Sequence, residues 1–457
     1  MLSPISSPIS LSQTAETEIA PAGKLLSVRK LGTVRSPDTS LRSAEVYYLT
    51  YRSSASGGSQ IAAKLFVPTG KAPVEGWPVT LWCHGLGDPA MDFRRWPFVA
   101  NNRADSWQDT RGYLTGRWAH SGYATLMPWL PGAGPSEPLM SYSPLSLARN
   151  AQAVADGLLA LRQFPARLSD LYDEAIALNF QQQVLRSDCV SSPLLVYLAA
   201  HLRDFEGTRT VRSLVADDFQ PSVAYNISYL NPYLLTLTGR MAAAMRCIWS
   251  RTTWALAKEQ GWPVSEFFTP KAIALFGQPV ETPVGGRDRI FASRLVPPVR
   301  SELAPLLESA VASDIGRIPT GADIRDWVCT PQMREWMSLG DLKSVVSSPF
   351  YQRYYAQSDP FFAENITPFN PGVPLLAVSR IGSSAVNTGG LPSFDERYQN
   401  MTLPKLNTLQ SWGWHIELIR LDEKAGTSFS GGRSQAVVLK RLGEILGEIL
   451  GGADSLI

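Results

Sequence analysis

A cysteine near the middle of the chain lies in the sequence context of a catalytic nucleophile. Residues 187–191 read SDCVS, with Cys189 at the centre, and they join a segment that predicts a short strand (181–185) to an apolar segment that predicts a helix (192–202). A sharp strand–turn–helix connection exposes the central side chain when small residues stand two positions before and after it. The start of a helix also favours a thiolate, because its macrodipole and its backbone N–H groups attract negative charge. The sequence therefore predicts a nucleophilic thiol at Cys189.

A cysteine needs less help than a serine to attack a carbonyl carbon. Even an unperturbed thiol is a few per cent thiolate at neutral pH. Hydrolysis of the resulting thioester still needs an activated water, and general-base assistance is worth about two to four orders of magnitude. Cys189 is thus predicted to act in a slow hydrolase or in an acyl transferase. The alternative interpretation is that Cys189 is a small apolar side chain that only packs in a turn without a catalytic role.

The segments around residue 189 alternate between buried strands and helices. Such alternation predicts an α/β fold with a mainly parallel central sheet. The predicted strands are residues 44–52, 60–67, 77–83, 121–129, 181–185, 210–216, 374–379 and 415–421, and the predicted helices include 146–164, 192–202, 403–412 and 435–450.

The texture of the sequence divides the chain into three parts. Residues 1–40 are rich in Ser and Pro and predict a flexible N-terminal arm. Residues 41–224 and 363–457 carry the strands of the predicted core. Residues 225–362 show helical patterns at 229–260, 301–313 and 323–339, with a loop-like stretch at 267–299, and predict an inserted helical lid. Its aromatic and Met side chains either line an apolar pocket or pack the helices together.

Composition excludes several classes of partner. The 42 basic and 40 acidic residues nearly balance and form no basic patch, so no nucleic acid or anionic membrane surface is predicted as a partner. No apolar stretch of about 18 residues predicts a transmembrane helix, and the N-terminus lacks the pattern of a signal peptide. The four cysteines form no C-x-x-C pair and the four histidines form no cluster, so no metal or other cofactor is predicted, and the location is predicted to be the reducing cytoplasm. The sequence leaves the oligomeric state open.

Five sequence blocks occur in a characteristic order within residues 48–224. They are His84-Gly85 after a strand, Gly122-Tyr123-Ala124 leading to Leu130-Pro131-Gly132-Ala133-Gly134, the helix at 146–164, the predicted turn at 187–191, and Val215-Ala216-Asp217-Asp218. Through these blocks, residues 48–224 resemble the secretory-lipase family of α/β-hydrolases. The resemblance implies an α/β-hydrolase fold with a mainly parallel sheet and an inserted helical lid. It also implies a nucleophile, an acid and a histidine that act on esters of apolar acids.

The chain departs from this family at all three catalytic positions. The resemblance implies a serine where Cys189 stands, an acid where Ser383 or Ser384 stands, and a histidine where Thr427 stands; no histidine follows His415. Some α/β-hydrolases place the acid after the strand that follows the nucleophile, which makes Asp217 a candidate for a relocated acid. The alternative is that Asp217 caps the next segment.

In this family an oxyanion hole, a pair of N–H groups that bind the carbonyl oxygen of the substrate, accompanies the three catalytic residues. Because it is built from backbone N–H groups, it can be retained when the catalytic side chains are lost. By resemblance, Leu86 and Val190 supply these groups; the alternative for the segment around Leu86 is an ordinary tight turn. The leading functional hypothesis is an enzyme that acts on a hydrophobic ester, thioester or related carbonyl compound. The rivals are a non-hydrolytic cyclase or isomerase of natural-product biosynthesis that uses the pocket and the oxyanion hole, and a ligand-binding pseudoenzyme.

Overall fold

The computed structural model describes most of the chain. The described residues are 21–34, 42–56, 60–83, 118–131, 143–188, 191–217, 219–220, 222–277, 303–361, 371–381, 396, 398–422 and 438–444.

A nine-stranded sheet forms the centre of the molecule, in the order β1-β2-β3-β5-β4-β6-β7-β8-β9. The strands are β1 Leu25–Val34, β2 Ala44–Arg52, β3 Gln60–Pro68, β4 Trp77–Cys83, β5 Ala124–Pro128, β6 Leu178–Asp188, β7 Val211–Asp217, β8 Leu375–Ile381 and β9 Ile416–Asp422. Pairings from β1 to β5 through β2 and β3 are antiparallel, and all those from β5 to β9 are parallel. The predicted mainly parallel α/β sheet is confirmed.

Strand β4 shows why the parallel part could be recognised. All seven of its residues, WPVTLWC, are buried, as expected for a strand covered on both faces. On one face pack the long helix that follows β5 and the helix that follows β6. The opposite face of the parallel sheet is covered at β6, β7 and β8 by residues from the helical turns at 118–120 and 438–444.

Strand β1 corrects the predicted arm. Residues 25–34 lie within the segment predicted to be flexible, yet they pair with β2 along the edge of the sheet. The strand carries Arg29, Lys30 and Gly32, which break its apolar alternation. Charged residues are common on edge strands because they discourage pairing with other chains. The same residues interrupt the apolar alternation by which a strand is recognised in a sequence.

The helices are α1 Leu147–Tyr172, α2 Ser192–Ala200, α3 Val223–Leu234, α4 Gly239–Gln260, α5 Pro270–Phe276, α6 Leu303–Ile315, α7 Gly321–Val328, α8 Pro331–Met337, α9 Leu342–Ser347, α10 Pro349–Tyr354 and α11 Leu403–Ser411. Helix α1 continues past the predicted end at residue 164 and includes Pro165. Among the described residues, no helix is long and apolar enough to cross a membrane.

Helices α3 to α10 lie between β7 and β8, and we call the described part of residues 222–361 the helical segment. The single helix predicted at 229–260 is two helices, because Gly239 has a φ of 54° and Thr238 pairs with Thr320 at the break. The stretch predicted to be loop-like contains α5, which begins after Thr269, whose side chain accepts a hydrogen bond from the Ala272 N–H.

Candidate functional site

The parallel strands deliver the predicted site residues to one edge of the sheet. Strands β4, β6, β7, β8 and β9 end there, and we call it the carboxyl edge. The register aligns Cys83 with Ser187 and Asp188 with Asp217. Paired strands lie about 4.8 Å apart, so the ends of β4, β6 and β7 are immediate neighbours.

Two residues of the chain, 189 and 190, separate the end of β6 from the cap of α2. Strand β6 ends at Asp188, Ser191 is the N-terminal cap of α2, and the helix begins at Ser192. The predicted strand before residue 189 and the predicted helix after it are confirmed. Helix α2 is apolar and buried along its length because it packs between the sheet and α1. Cys189 and Val190 lie outside the described residues, so their roles stay predictions.

Two consecutive serines at the start of α2 connect this helix to segments that follow the neighbouring strands. The Ser191 hydroxyl donates to the Cys83 carbonyl oxygen at 2.7 Å, which reaches the end of β4. The Ser192 hydroxyl accepts from the Gln220 N–H at 3.1 Å, which reaches the segment after β7. The Gln220 side-chain oxygen in turn accepts from Asn226 of α3 at 3.1 Å. The start of α2 is therefore joined to β4 on one side and to the helical segment on the other.

The other predicted site residues follow strand ends at the same edge. Asp217 is the last residue of β7, and its backbone is paired with Asp188 and with Val378 of β8. Leu86 comes shortly after β4, Ser383 and Ser384 follow β8, and Thr427 follows β9. These four residues lie outside the described part of the chain, and their roles stay predictions.

The described histidines lie at the opposite edge. His120 precedes β5, His201 precedes β7 and His415 precedes β9, so each is near the start of a strand whose end points to the site. His201 bonds to Asp204 at 2.7 Å, and His415 is exposed. The fourth histidine, His84, comes directly after the last residue of β4.

Structures of known proteins share this architecture. The rice cell wall degrading esterase LipA from Xanthomonas oryzae superposes with a TM-score of 0.57 and 16% identity, over 93% of this chain and 97% of that one. Lipase A from Candida antarctica in its closed state superposes with a TM-score of 0.56 and 10% identity, over 93% of this chain and 83% of that one. A putative hydrolase from Legionella pneumophila superposes with a TM-score of 0.58 and 15% identity, over 94% of this chain and 100% of that one.

The chain has the α/β-hydrolase fold. The fold predicted from the sequence blocks is thereby confirmed. Neither a protein-family model nor a curated protein matches the sequence. Within this α/β-hydrolase fold, residues 189 and 190 come between a central parallel strand and the helix that follows it in the sequence.

A buried carboxylate at the base of the helical segment was missed by the sequence analysis. Asp359 accepts hydrogen bonds from the Ser222 hydroxyl at 2.6 Å, from the Tyr351 hydroxyl, and, through its other oxygen, from the Phe361 N–H at 2.9 Å. Ser222 is also the cap of α3. Burial and the negative charge of Asp359 raise the pKa of Tyr351 well above its usual value. No local pattern could have paired residues so far apart in the sequence.

Lys405 of α11 lies near this cluster. Burial lowers the pKa of its ammonium group, and the charge of Asp359 partly offsets that effect. The ammonium nitrogen is 4.6 Å from the centre of the Phe361 ring. A cation over an aromatic face is stabilised electrostatically, so the lysine joins the core to the end of the helical segment.

Aromatic side chains of the helical segment pack largely against one another. Trp254 contacts Phe268 and Phe276 with ring centres 5.6 and 6.0 Å away. Trp336 stacks on Tyr355 at 4.7 Å. Trp254 therefore packs the helices together, which is one of the two roles predicted for the aromatic side chains of this segment. Tyr229 and Tyr233 of α3 are only partly buried, and a role in lining a pocket stays a prediction for them.

Proposed function

We propose that the protein is an acyl-transferring enzyme that takes an apolar acyl group from an ester or thioester onto Cys189. The observation that carries this proposal is that only residues 189 and 190 separate the end of β6 at Asp188 from the cap of α2 at Ser191. This spacing supports a position for Cys189 near the carboxyl edge, before a buried helix, in a fold shared with an esterase and a lipase. The connection suits a residue that must be exposed above the sheet to react.

The proposed first step forms one covalent bond and breaks another. The Cys189 thiolate attacks the carbonyl carbon, and the negative charge moves to the carbonyl oxygen. The N–H groups of Leu86 and Val190 are proposed to stabilise that oxyanion. When the tetrahedral intermediate collapses, the alkoxide or thiolate leaves with the proton that the cysteine lost, and the acyl group stays on sulfur as a thioester.

The second step passes the acyl group to water or to another nucleophile. We propose His84 as the proton acceptor, because it directly follows Cys83, which is aligned with Ser187, two residues before Cys189. The three described histidines lie at the opposite edge. Asp217, whose backbone is paired with Asp188, is the proposed partner acid. Lacking a histidine after β9, the site should release the acyl group slowly.

An apolar acyl group fits the surroundings of this edge. The helical segment joins the edge through Asn226, whose amide donates to Gln220, and it is rich in aromatic side chains, which suits a lid over an apolar substrate. The names of the compared proteins, an esterase and a lipase, point to esters as substrates. These points support a hydrophobic substrate for this chain.

Burst kinetics with p-nitrophenyl octanoate test the proposal. We expect one equivalent of p-nitrophenolate to be released rapidly per active protein, followed by a slow steady rate. Cys189→Ala should abolish the burst, whereas Cys329→Ala, which removes a buried thiol of the helical segment, should retain it. A burst of unchanged size in Cys189→Ala would contradict the assignment of the nucleophile.

A non-hydrolytic cyclase or isomerase is the second candidate. The observation that favours it is that no histidine follows His415 in the sequence. An oxyanion hole without a triad can still stabilise an enolate. Turnover of an enolisable carbonyl compound that persists in Cys189→Ala would support this candidate, and loss of that turnover would exclude it.

A further inference from the structure

We propose that Lys405 is a reactive residue of the carboxyl edge, whose amine binds an apolar aldehyde or ketone covalently as an imine. The inference is independent of the proposed function, because neither Cys189 nor an oxyanion hole takes part in imine formation. The acyl-transfer steps leave this lysine unused, so its chemistry would be a further activity of the same edge of the sheet.

A contact at the start of α11 brings Lys405 to the carboxyl edge. The hydroxyl of Thr402, the residue before this helix, donates to the Phe219 carbonyl oxygen at 2.9 Å. Phe219 follows the end of β7 at Asp217 by two residues. Lys405 is the third residue of α11, within one helical turn of that contact. Ligands of open α/β sheets bind outside the carboxyl ends of the strands, so the lysine stands where a small molecule is expected.

The amine of Lys405 lies against aromatic rings and is bonded to no charged group. Its nitrogen is 4.6 Å from the centre of the Phe361 ring, which in turn stacks on Trp412 with ring centres 5.9 Å apart. The ammonium group makes no hydrogen bond or ion pair with any residue that the structure describes, and the residue is partly exposed. A small molecule can therefore approach an amine that no neighbouring side chain occupies.

Asp359 acts on this amine from a distance but does not pair with it. Its two oxygens already accept hydrogen bonds from the Ser222 and Tyr351 hydroxyls and from the Phe361 N–H. Burial lowers the pKa of Lys405 below its usual value of 10.5, and the charge of Asp359 offsets only part of that effect. Desolvated lysines are the amines that form imines in proteins, because the neutral form is the nucleophile.

The reaction is an addition followed by loss of water. The neutral amine of Lys405 attacks the carbonyl carbon, and a proton moves from nitrogen to oxygen to give a carbinolamine. Loss of water then leaves a carbon–nitrogen double bond, and water reverses the reaction. No oxidant or reductant is needed. The apolar rings of Phe361 and Trp412 favour a carbonyl compound that carries an alkyl chain.

Reductive trapping tests this by comparing Lys405 with Lys258 in the same wild-type molecule. Lys258 of α4 is the matched control, because its ammonium nitrogen also lies over an aromatic ring, 5.6 Å from the centre of Trp254, but the residue is exposed. The protein is incubated with octanal and cyanoborohydride, which donates hydride to the imine carbon and fixes the adduct as a secondary amine. Peptide mapping gives the alkylation rate at each lysine across a pH series. A second series uses glycolaldehyde, a small polar aldehyde.

With octanal at pH 7 we expect Lys405 to be alkylated about tenfold faster than Lys258, because more of its amine is neutral. The ratio of the two rates should fall as the pH rises, since both amines then lose their protons, and it should be smaller with glycolaldehyde. Equal rates at pH 7, or the same ratio with both aldehydes, would overturn the inference. Cys189→Ala should give the wild-type ratio, so this result stands even if Cys189 forms no acyl adduct. A ratio that changes in Cys189→Ala would overturn the claim that Lys405 reacts without it.

Discussion

At the scale of single residues, Ser187 and Ser191 stand two positions before and two positions after Cys189, and their hydroxyls have different surroundings. Ser191 donates to Cys83, whereas the Ser187 hydroxyl is buried with no hydrogen-bond partner in the described part of the chain. The motif around Cys189 could be found from residue types and spacing alone. The Ser191–Cys83 bond could not, because it depends on the register between β4 and β6.

This difference predicts opposite effects of two alanine substitutions. Ser191→Ala should lower the free energy of unfolding by about 1–3 kcal/mol, because a buried acceptor loses its donor. Ser187→Ala removes a buried hydroxyl that has no hydrogen-bond partner among the described residues, so it should leave stability unchanged or raise it by up to about 1 kcal/mol. Urea unfolding of both variants measures this. A larger loss in the free energy of unfolding for Ser187→Ala than for Ser191→Ala would contradict the conclusion that the Ser191 hydroxyl, and not that of Ser187, makes a stabilising hydrogen bond.

At the scale of elements, strands with a continuous apolar pattern were predicted correctly from the sequence, whereas features in which that pattern is interrupted or misleading were missed. The bounds of β2 and β4 were predicted correctly because both are continuous, mostly buried runs. Strand β1 was missed because its charged residues and Gly32 interrupt the pattern, and the break between α3 and α4 was missed because apolar residues continue through it. The break follows from Gly239 and from the Thr238–Thr320 bridge, which is a tertiary contact.

Helix α7 gives a pH-dependent prediction at this scale. Its first turn has a capping box in which Thr320 and Asp323 bond reciprocally. The Thr320 hydroxyl and N–H, with Arg317, lower the pKa of Asp323 to about 2. A carboxyl whose pKa is lowered on folding stabilises the protein above its unfolded pKa of 3.8 and loses that contribution as the pH falls towards 2.

We therefore expect Asp323→Ala to lose about 1 kcal/mol of stability at pH 7. The difference from wild type should shrink as the pH falls from about 4 to about 2. Asp326→Ala on the exposed face of the same helix is the control, with an expected change below about 0.5 kcal/mol. Chemical denaturation across this pH range measures both, and a difference for Asp323→Ala that does not depend on pH would be inconsistent with the capping role.

At the scale of the whole molecule, contacts at Asp359 hold together the two ends of the helical segment. Ser222 opens that segment after β7, and Asp359 and Phe361 close it before β8. The sequence predicted helices between the two strands. It could not predict their anchoring, because Ser222 and Asp359 are 137 residues apart and only the folded chain brings them together.

Asp359→Asn tests this anchoring. The amide brings N–H groups to a position where all contacts are donors, so we expect a loss of about 2 kcal/mol in the free energy of unfolding. Asp170→Asn, at an exposed position of α1, should change stability by less than about 0.5 kcal/mol. Urea midpoints followed by circular dichroism distinguish the two, and equal midpoints would show that the cluster does not stabilise the fold.

The central claim is that Cys189 is the residue that becomes acylated. The most direct measurement is intact mass followed by peptide mapping after incubation with an octanoyl thioester. Cys83, Cys247 and Cys329 are buried, and burial raises the pKa of the Cys329 thiol, so none of the three should compete. The account predicts a gain of one octanoyl group in the wild-type protein, mapped to residue 189, and no gain in Cys189→Ala. An adduct at another residue, or the same gain in Cys189→Ala, would contradict it.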